Sequence, residues 1–171
     1  SIHDTFSESE MASLWEHSSD GNIRIVLIMI YTGLRIEELL SMKCQNVFLE
    51  SRHMTGGIKT DAGRDRVIPI AHKILPFVSE LYCENGYLLR HDGRRYSRTL
   101  FMQDIWQPAM ESLNLKHLPH DTRYTCATMM DRAGVNQNCI KEILGHAKKD
   151  VTNKVYIKKS LDDLVRAIDM I

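Results

Sequence analysis

The sequence predicts a mainly α-helical domain with one small antiparallel β-sheet, an α+β fold, and three observations carry that prediction. Apolar residues recur at helical spacing over most of the chain. The period shortens only between Val47 and Ile70, on either side of a turn at Asp61-Ala62-Gly63-Arg64. A chain of 171 residues that is 43% hydrophobic and 26% charged suffices for one domain with its own core. It is too apolar to be a disordered segment.

Each element has a local signal. Ser7-Glu8-Ser9-Glu10 is a capping box that opens a helix to about His17. Ser18 to Asn22 breaks it. A second helix over 23–31 is apolar on nearly all sides and is expected to be buried, with Gly33 as its end. A short third helix runs to Met42. Strands are expected at 47–49, 52–60 and 66–70, and Pro69 marks the last as an edge strand or its end. Helices follow at about 73–84, 98–114, 121–133, 136–144 and 160–170. Pro119 and Gly134 bracket the third of these, and Ser160 with Asp163 caps the last.

Twenty-two Lys and Arg balance 22 Asp and Glu. The balance hides an asymmetry, because residues 1–20 hold five acids and no Lys or Arg, so the other 151 residues are net positive by five. Arg94-Arg95, Lys148-Lys149 and Lys158-Lys159 are basic clusters, each of which taken singly reads as a solvated face. The longest apolar run, Ile25 to Tyr31, is far shorter than the roughly 20 residues a membrane span needs. Cys44, Cys83, Cys126 and Cys139 form no C-x-x-C pair and read as reduced, mostly core-filling thiols of a cytoplasmic protein. No phosphate-binding glycine loop and no His/Cys pair at zinc spacing is present, so the expectation is no metal and no cofactor. The chain opens at Ser1 without an initiator Met and reads as a fragment.

Several residues could carry chemistry. His120 and Arg123 sit three apart in the first turn of a helix, where free N–H groups and the helix dipole favour an anion. Arg35, bordered by Leu34 and Ile36, is expected to be partly buried and to need Glu38 as its partner. Lys59 lies near a hairpin tip that could reach a bound duplex. His146 falls just after Leu144-Gly145, and Tyr156 follows ten residues later, with Lys154, Lys158 and Lys159 nearby. Read one at a time, these are a capping His, a structural ion pair, an exposed Lys and a half-buried Tyr.

In order, Arg35 in Thr-Gly-Leu-Arg, Lys59, His120-x-x-Arg123, Leu144-Gly145-His146 and Tyr156 closely resemble the catalytic domain of the tyrosine recombinases, the phage integrase family. The resemblance spans about residues 7–171. It implies the tyrosine recombinase catalytic-domain fold, with Arg35 and Arg123 clamping a scissile DNA phosphate. Tyr156 would be the nucleophile and Lys59 the general acid to the leaving 5′ oxygen. His120 would assist proton transfer at Tyr156, His146 would donate to a phosphate oxygen, and Glu38 would support Arg35. Arg64, Lys148, Lys149 and Lys158 are further candidate DNA contacts. Tyr124 and Cys126 stand where many relatives have His and Phe, which bears on sub-family and not on chemistry.

The resemblance also implies double-stranded DNA as partner, a homotetramer on paired DNA sites that is mostly monomeric when free, and accessory DNA-bending or directionality proteins. It implies no membrane and a place on the nucleoid of a bacterial host. The family's amino-terminal core-binding domain, and any arm-binding domain, would lie outside residues 1–171. A type IB topoisomerase and a non-catalytic DNA-binding module on the same fold are the alternatives. The tail helix is expected to dock on a neighbouring protomer in the assembly, or to fold back or fray in the monomer.

Overall fold

A computed structural model describes residues 4–56, 66–146 and 159–171. Helix α1 (Glu8–Glu16) begins with the expected capping box: Ser7 Oγ accepts the Glu10 N–H at 3.1 Å, and Glu10 Oε1 accepts the Ser7 N–H at 2.8 Å. Helix α2 (Gly21–Thr32) is capped by Asp20, which accepts the Asn22 N–H. It is the central element, buried from Ile25 through Thr32, as its apolar run requires. Each large aliphatic side chain so buried contributes about 1.5–3 kcal/mol.

Helix α3 (Ile36–Ser41) leads into a three-stranded antiparallel meander of β1 (Val47–Phe48), β2 (His53–Gly56) and β3 (Arg66–Pro69). The register pairs Met54 with Ile68 and Gly56 with Arg66. Pro69 is the last residue of edge strand β3, where its missing N–H costs no ladder bond.

The helix expected over 73–84 is shorter, a 3₁₀ turn (His72–Ile74) followed by α4 (Leu75–Leu81). A hairpin of β4 (Arg90–His91) and β5 (Arg94–Arg95) follows, which the sequence pattern did not signal. The helix expected over 98–114 is divided into α5 (Arg98–Phe101), a π turn (Met102–Trp106) and α6 (Gln107–Ser112). Pro108 explains the break, since it has no N–H to give the Asp104 carbonyl. Asn22 Nδ2 donates to that carbonyl instead, at 3.3 Å.

Helix α7 (His120–Arg132) packs on α2 and is tied to the amino-terminal segment. The Phe6 N–H donates to Thr125 Oγ1, the Phe6 ring stacks on His117, and Trp106 Nε1 donates to the His117 carbonyl. Helix α8 (Gln137–Leu144) packs on α7 and β3, and α9 (Leu161–Ile168) packs on β3 and α8.

The tail helix is therefore folded back on its own chain, with Leu164, Ile168 and Ile171 buried. Its end is pinned by Asp169, which accepts from Arg52 Nη1 and Nη2 at 3.0 and 2.6 Å and from the His72 N–H. Among the described residues no helix is long and apolar enough to cross a membrane.

Candidate active site

Three arginines and one carboxylate meet where α2, α3, β3, α7 and α8 converge. Gly33 ends α2 in the left-handed region, φ 68°, and turns its carbonyl toward α7, where Arg123 Nη1 donates to it at 2.8 Å. A side chain at Gly33 would collide with Leu144, so the position needs glycine for space as well as for φ. Arg35 caps α3 in extended conformation, and its N–H donates to Glu38 Oε1 at 2.8 Å. The Arg35 guanidinium lies 3.6 Å from the same oxygen and is 30% exposed, whereas Glu38 is fully buried. Arg35 is thus paired with Glu38 and only partly buried, as expected.

Glu38 has a second cationic partner, closer than the Arg35 guanidinium, that the sequence did not signal. Arg66, whose side chain is 3% exposed, donates from Nη2 to Glu38 Oε1 at 3.1 Å and from Nη1 to the Leu144 carbonyl at 2.7 Å. Arg123 Nη2 donates to that same carbonyl. Glu38 Oε2 and Arg66 Nε are buried with no hydrogen-bond partner among the described residues. A buried pair so incompletely satisfied is a weak source of net stability. Its visible effect is to fix the Arg35 backbone and the end of α8.

That end of α8 carries His146. Gly145 adopts φ 68°, and the N–H groups of Gly145 and His146 return to the Glu142 and Lys141 carbonyls in a Schellman cap. A Cβ at Gly145 would run into the Arg66 guanidinium. The cap presents His146 at the surface beside the arginines.

The electrostatics follow from the crowding. Burial, then the charges of Arg35 and Arg66, lower the Arg123 pKa to about 10, so it stays cationic at neutral pH. Burial, then the charges of Arg123, Arg35 and Arg66, lower the pKa of His146 below its ordinary value. Positive charge gathered against one buried carboxylate is a site for an anion.

His120 and Arg123 share the first turn of α7 but not an environment. Arg123 is buried, whereas His120 is exposed and meets the Tyr124 ring edge-on, with centroids 5.2 Å apart. The N–H groups expected to greet an anion are also partly spent. Those of Asp121 and Thr122 donate to the Leu118 and Pro119 carbonyls in a tight first turn. Two of the amides at this helix end are therefore engaged within the chain.

Lys59, Arg64, Lys148, Lys149, Tyr156 and Lys158 lie outside the described residues. Lys159, three residues after Tyr156 in sequence, is held by its N–H to Glu142 Oε1 at 2.9 Å. Burial pushes the Cys126 thiol up to about 12 and raises that of Cys139, so neither is a thiolate nucleophile at neutral pH. Cys44 and Cys83, far apart in sequence, bring their sulfurs within 3.6 Å.

Comparison with known proteins bears on the family and the fold. A family model described as the phage integrase family matches residues 5–162. Tyrosine recombinase XerA of Pyrococcus furiosus is 29% identical over 177 residues, covering 96% of this chain and 60% of that protein. The chain therefore spans about three fifths of that relative. The integrase from mycobacterium phage Brujita shares the fold with a TM-score of 0.78 at 19% identity, covering 99% of this chain and 58% of the other. The Tn1549 transposon integrase in complex with transposon right end DNA shares it at 0.66 and 20% identity, covering 85% of this chain and 58% of the other.

Proposed function

We propose that this chain, which belongs to the phage integrase family, is the catalytic domain of a site-specific tyrosine recombinase acting on double-stranded DNA. The observation that carries the reading is the clustering of Arg35, Arg66 and Arg123 about one buried carboxylate, Glu38, with His146 in the field of the arginines. A pentacoordinate phosphate concentrates negative charge on its oxygens, and preorganised cations stabilise that charge.

In the proposed reaction the Tyr156 hydroxyl attacks a DNA phosphorus and yields its proton with the help of His120. The bond to the 5′ oxygen breaks, and Lys59 protonates that oxygen. The product is a 3′-phosphotyrosine and a free 5′ hydroxyl. One phosphodiester has been exchanged for another, so the 5′ hydroxyl of a second strand can reverse the step without ATP. Arg35 and Arg123 hold the non-bridging oxygens, and His146 donates to one of them.

The proposed partner is duplex DNA; the Tn1549 transposon integrase, which shares the fold, has been solved in complex with transposon right end DNA. Assembly as a tetramer on paired sites, mostly monomeric protein when free, and accessory DNA-bending proteins belong to the same proposal. The amino-terminal DNA-binding region would lie beyond residues 1–171. The test is to measure cleavage of a nicked site and duplex affinity for Arg35→Ala and Arg123→Ala. Each should lose about 3–4 kcal/mol of transition-state stabilisation and far less affinity. Normal cleavage by both variants would refute the phosphate clamp.

A further inference from the structure

We propose that Cys44 and Cys83 form a reversible redox site, at which a low-molecular-weight disulfide oxidises the two thiols to one disulfide that fastens the segment after α4 to the end of α3.

The two residues lie 39 apart in sequence, and both are free thiols. Cys44 opens a 3₁₀ turn (Cys44–Asn46) that leads from α3 to β1, and it is fully buried. Cys83 follows α4 and is half-buried, between exposed Tyr82 and Glu84. Their sulfurs stand 3.6 Å apart. Cys44 Sγ also accepts the Cys83 N–H at 3.4 Å, and Cys83 Sγ donates to the Asn85 carbonyl at 2.9 Å. A disulfide bond is about 2.0 Å long, so closing it takes a movement of about 1.6 Å.

The surrounding backbone holds the two sulfurs together. The Cys44 N–H donates to the Gly86 carbonyl and the Leu88 N–H to the Met42 carbonyl, each at 2.8 Å, and Lys43 pairs with Tyr87 in an antiparallel bridge. Arg90 Nη1 gathers the Leu81, Tyr87 and Leu88 carbonyls, which fixes the loop that carries Cys83. No cluster of three or more metal-ligating side chains occurs among the described residues, which favours a dithiol over part of a metal site.

The unequal exposure of the thiols sets the order of events. Burial raises the Cys44 pKa above its ordinary value, and Cys83 is the thiol that solvent reaches. Cys83, as the thiolate, attacks one sulfur of the small disulfide. A mixed disulfide forms, and the first small thiolate departs and takes up the Cys83 proton. Cys44 then attacks the Cys83 sulfur, and the second small thiolate departs with the Cys44 proton. Two protein thiols have together lost two electrons and two protons, and one small disulfide has become two thiols. The new bond closes a loop that contains β1, β2, β3 and α4, and such a crosslink stabilises mainly by restricting the unfolded chain.

The test incubates the folded full chain with oxidised glutathione, quenches with acid, alkylates the remaining thiols and maps the peptides by mass spectrometry. The expected product joins the Cys44 and Cys83 peptides and leaves Cys126 and Cys139 alkylated. Its thermal midpoint should lie roughly 5–15 °C above that of the reduced chain, and dithiothreitol should return it. Cys44→Ala should stop at a glutathione adduct on Cys83. Half-buried Cys83→Ala should fold, leave Cys44 unmodified and show no oxidative rise in midpoint. Glutathione adducts on the wild type without the crosslink, a crosslink to Cys126 or Cys139, or no modification at all would each overturn the inference. So would a crosslink that leaves the midpoint unchanged or lowers it, since the thiols would then have to leave their native positions to bond.

Discussion

Arg66 and Arg123 donate to one and the same acceptor, the carbonyl oxygen of Leu144 at the end of α8. Two guanidiniums from a strand and a helix far apart in sequence thus fix the residue two before His146. Through Glu38, Arg66 also reaches Arg35. The buried arginine is a positioning residue for the exposed part of the site.

Removing it should show that role. Arg66→Met strands the Glu38 carboxylate in the core and should cost about 3–5 kcal/mol. Urea unfolding measures it. Arg66→Met/Glu38→Leu removes both charges and should cost clearly less than the two single changes added together. Strict additivity would mean that the pair does not act as a unit.

His117 makes stability depend on pH. It is buried between Glu10 Oε1, 3.0 Å from Nε2, and Asp121 Oδ2, 2.9 Å from Nδ1. Burial pulls its pKa down, but the hydrogen bonds and charges of Glu10 and Asp121 outweigh burial, and the pKa is raised. A raised folded pKa means the folded state holds its proton longer than the unfolded chain does. The contribution is therefore complete below the ordinary histidine value of about 6.5 and is lost as pH rises through the folded value. Denaturation midpoints across that range should fall with rising pH, and His117→Gln should flatten the fall. A wild-type profile as flat as the variant's would contradict the bridge.

His146 should titrate below an ordinary histidine. Burial and the charges of Arg123, Arg35 and Arg66 all favour its neutral form. Proton NMR of the ring should show a midpoint below about 6.5, and Arg123→Ala should move it upward. Added inorganic phosphate, by neutralising the cluster, should move it upward in the wild type and less in Arg123→Ala. A midpoint indifferent to both would place His146 outside the arginines' field.

Much of this was legible in the residues. The capping box at Ser7, the buried run of α2 and Gly33 as its end all follow from local chemistry, and all are present. Arg35 with Glu38 was legible because an arginine among leucines needs a partner three residues on. Arg66 was not, since its partners, Glu38 and Leu144, are 28 and 78 residues away. On the sequence it is one more charge beside a turn. The hairpin of β4 and β5 was hidden because its strands are two residues each, too short to show a period. The π turn was hidden because Pro108 acts on a carbonyl four residues back, and Asn22, 82 residues before Asp104, repairs the loss. The 3.6 Å approach of Cys44 and Cys83 likewise depends on tertiary packing alone.

The central claim is that Tyr156 becomes covalently joined to DNA beside the arginine cluster. The most direct measurement is capture on a nicked duplex that loses its 5′ fragment on cleavage, followed by mass spectrometry of the DNA-linked peptide. An adduct mapped to Tyr156 is expected in the wild type, and none in Tyr156→Phe, whose duplex affinity stays close to wild type because one hydroxyl is all that is lost. An adduct that persists in Tyr156→Phe, or maps to another tyrosine, would contradict it.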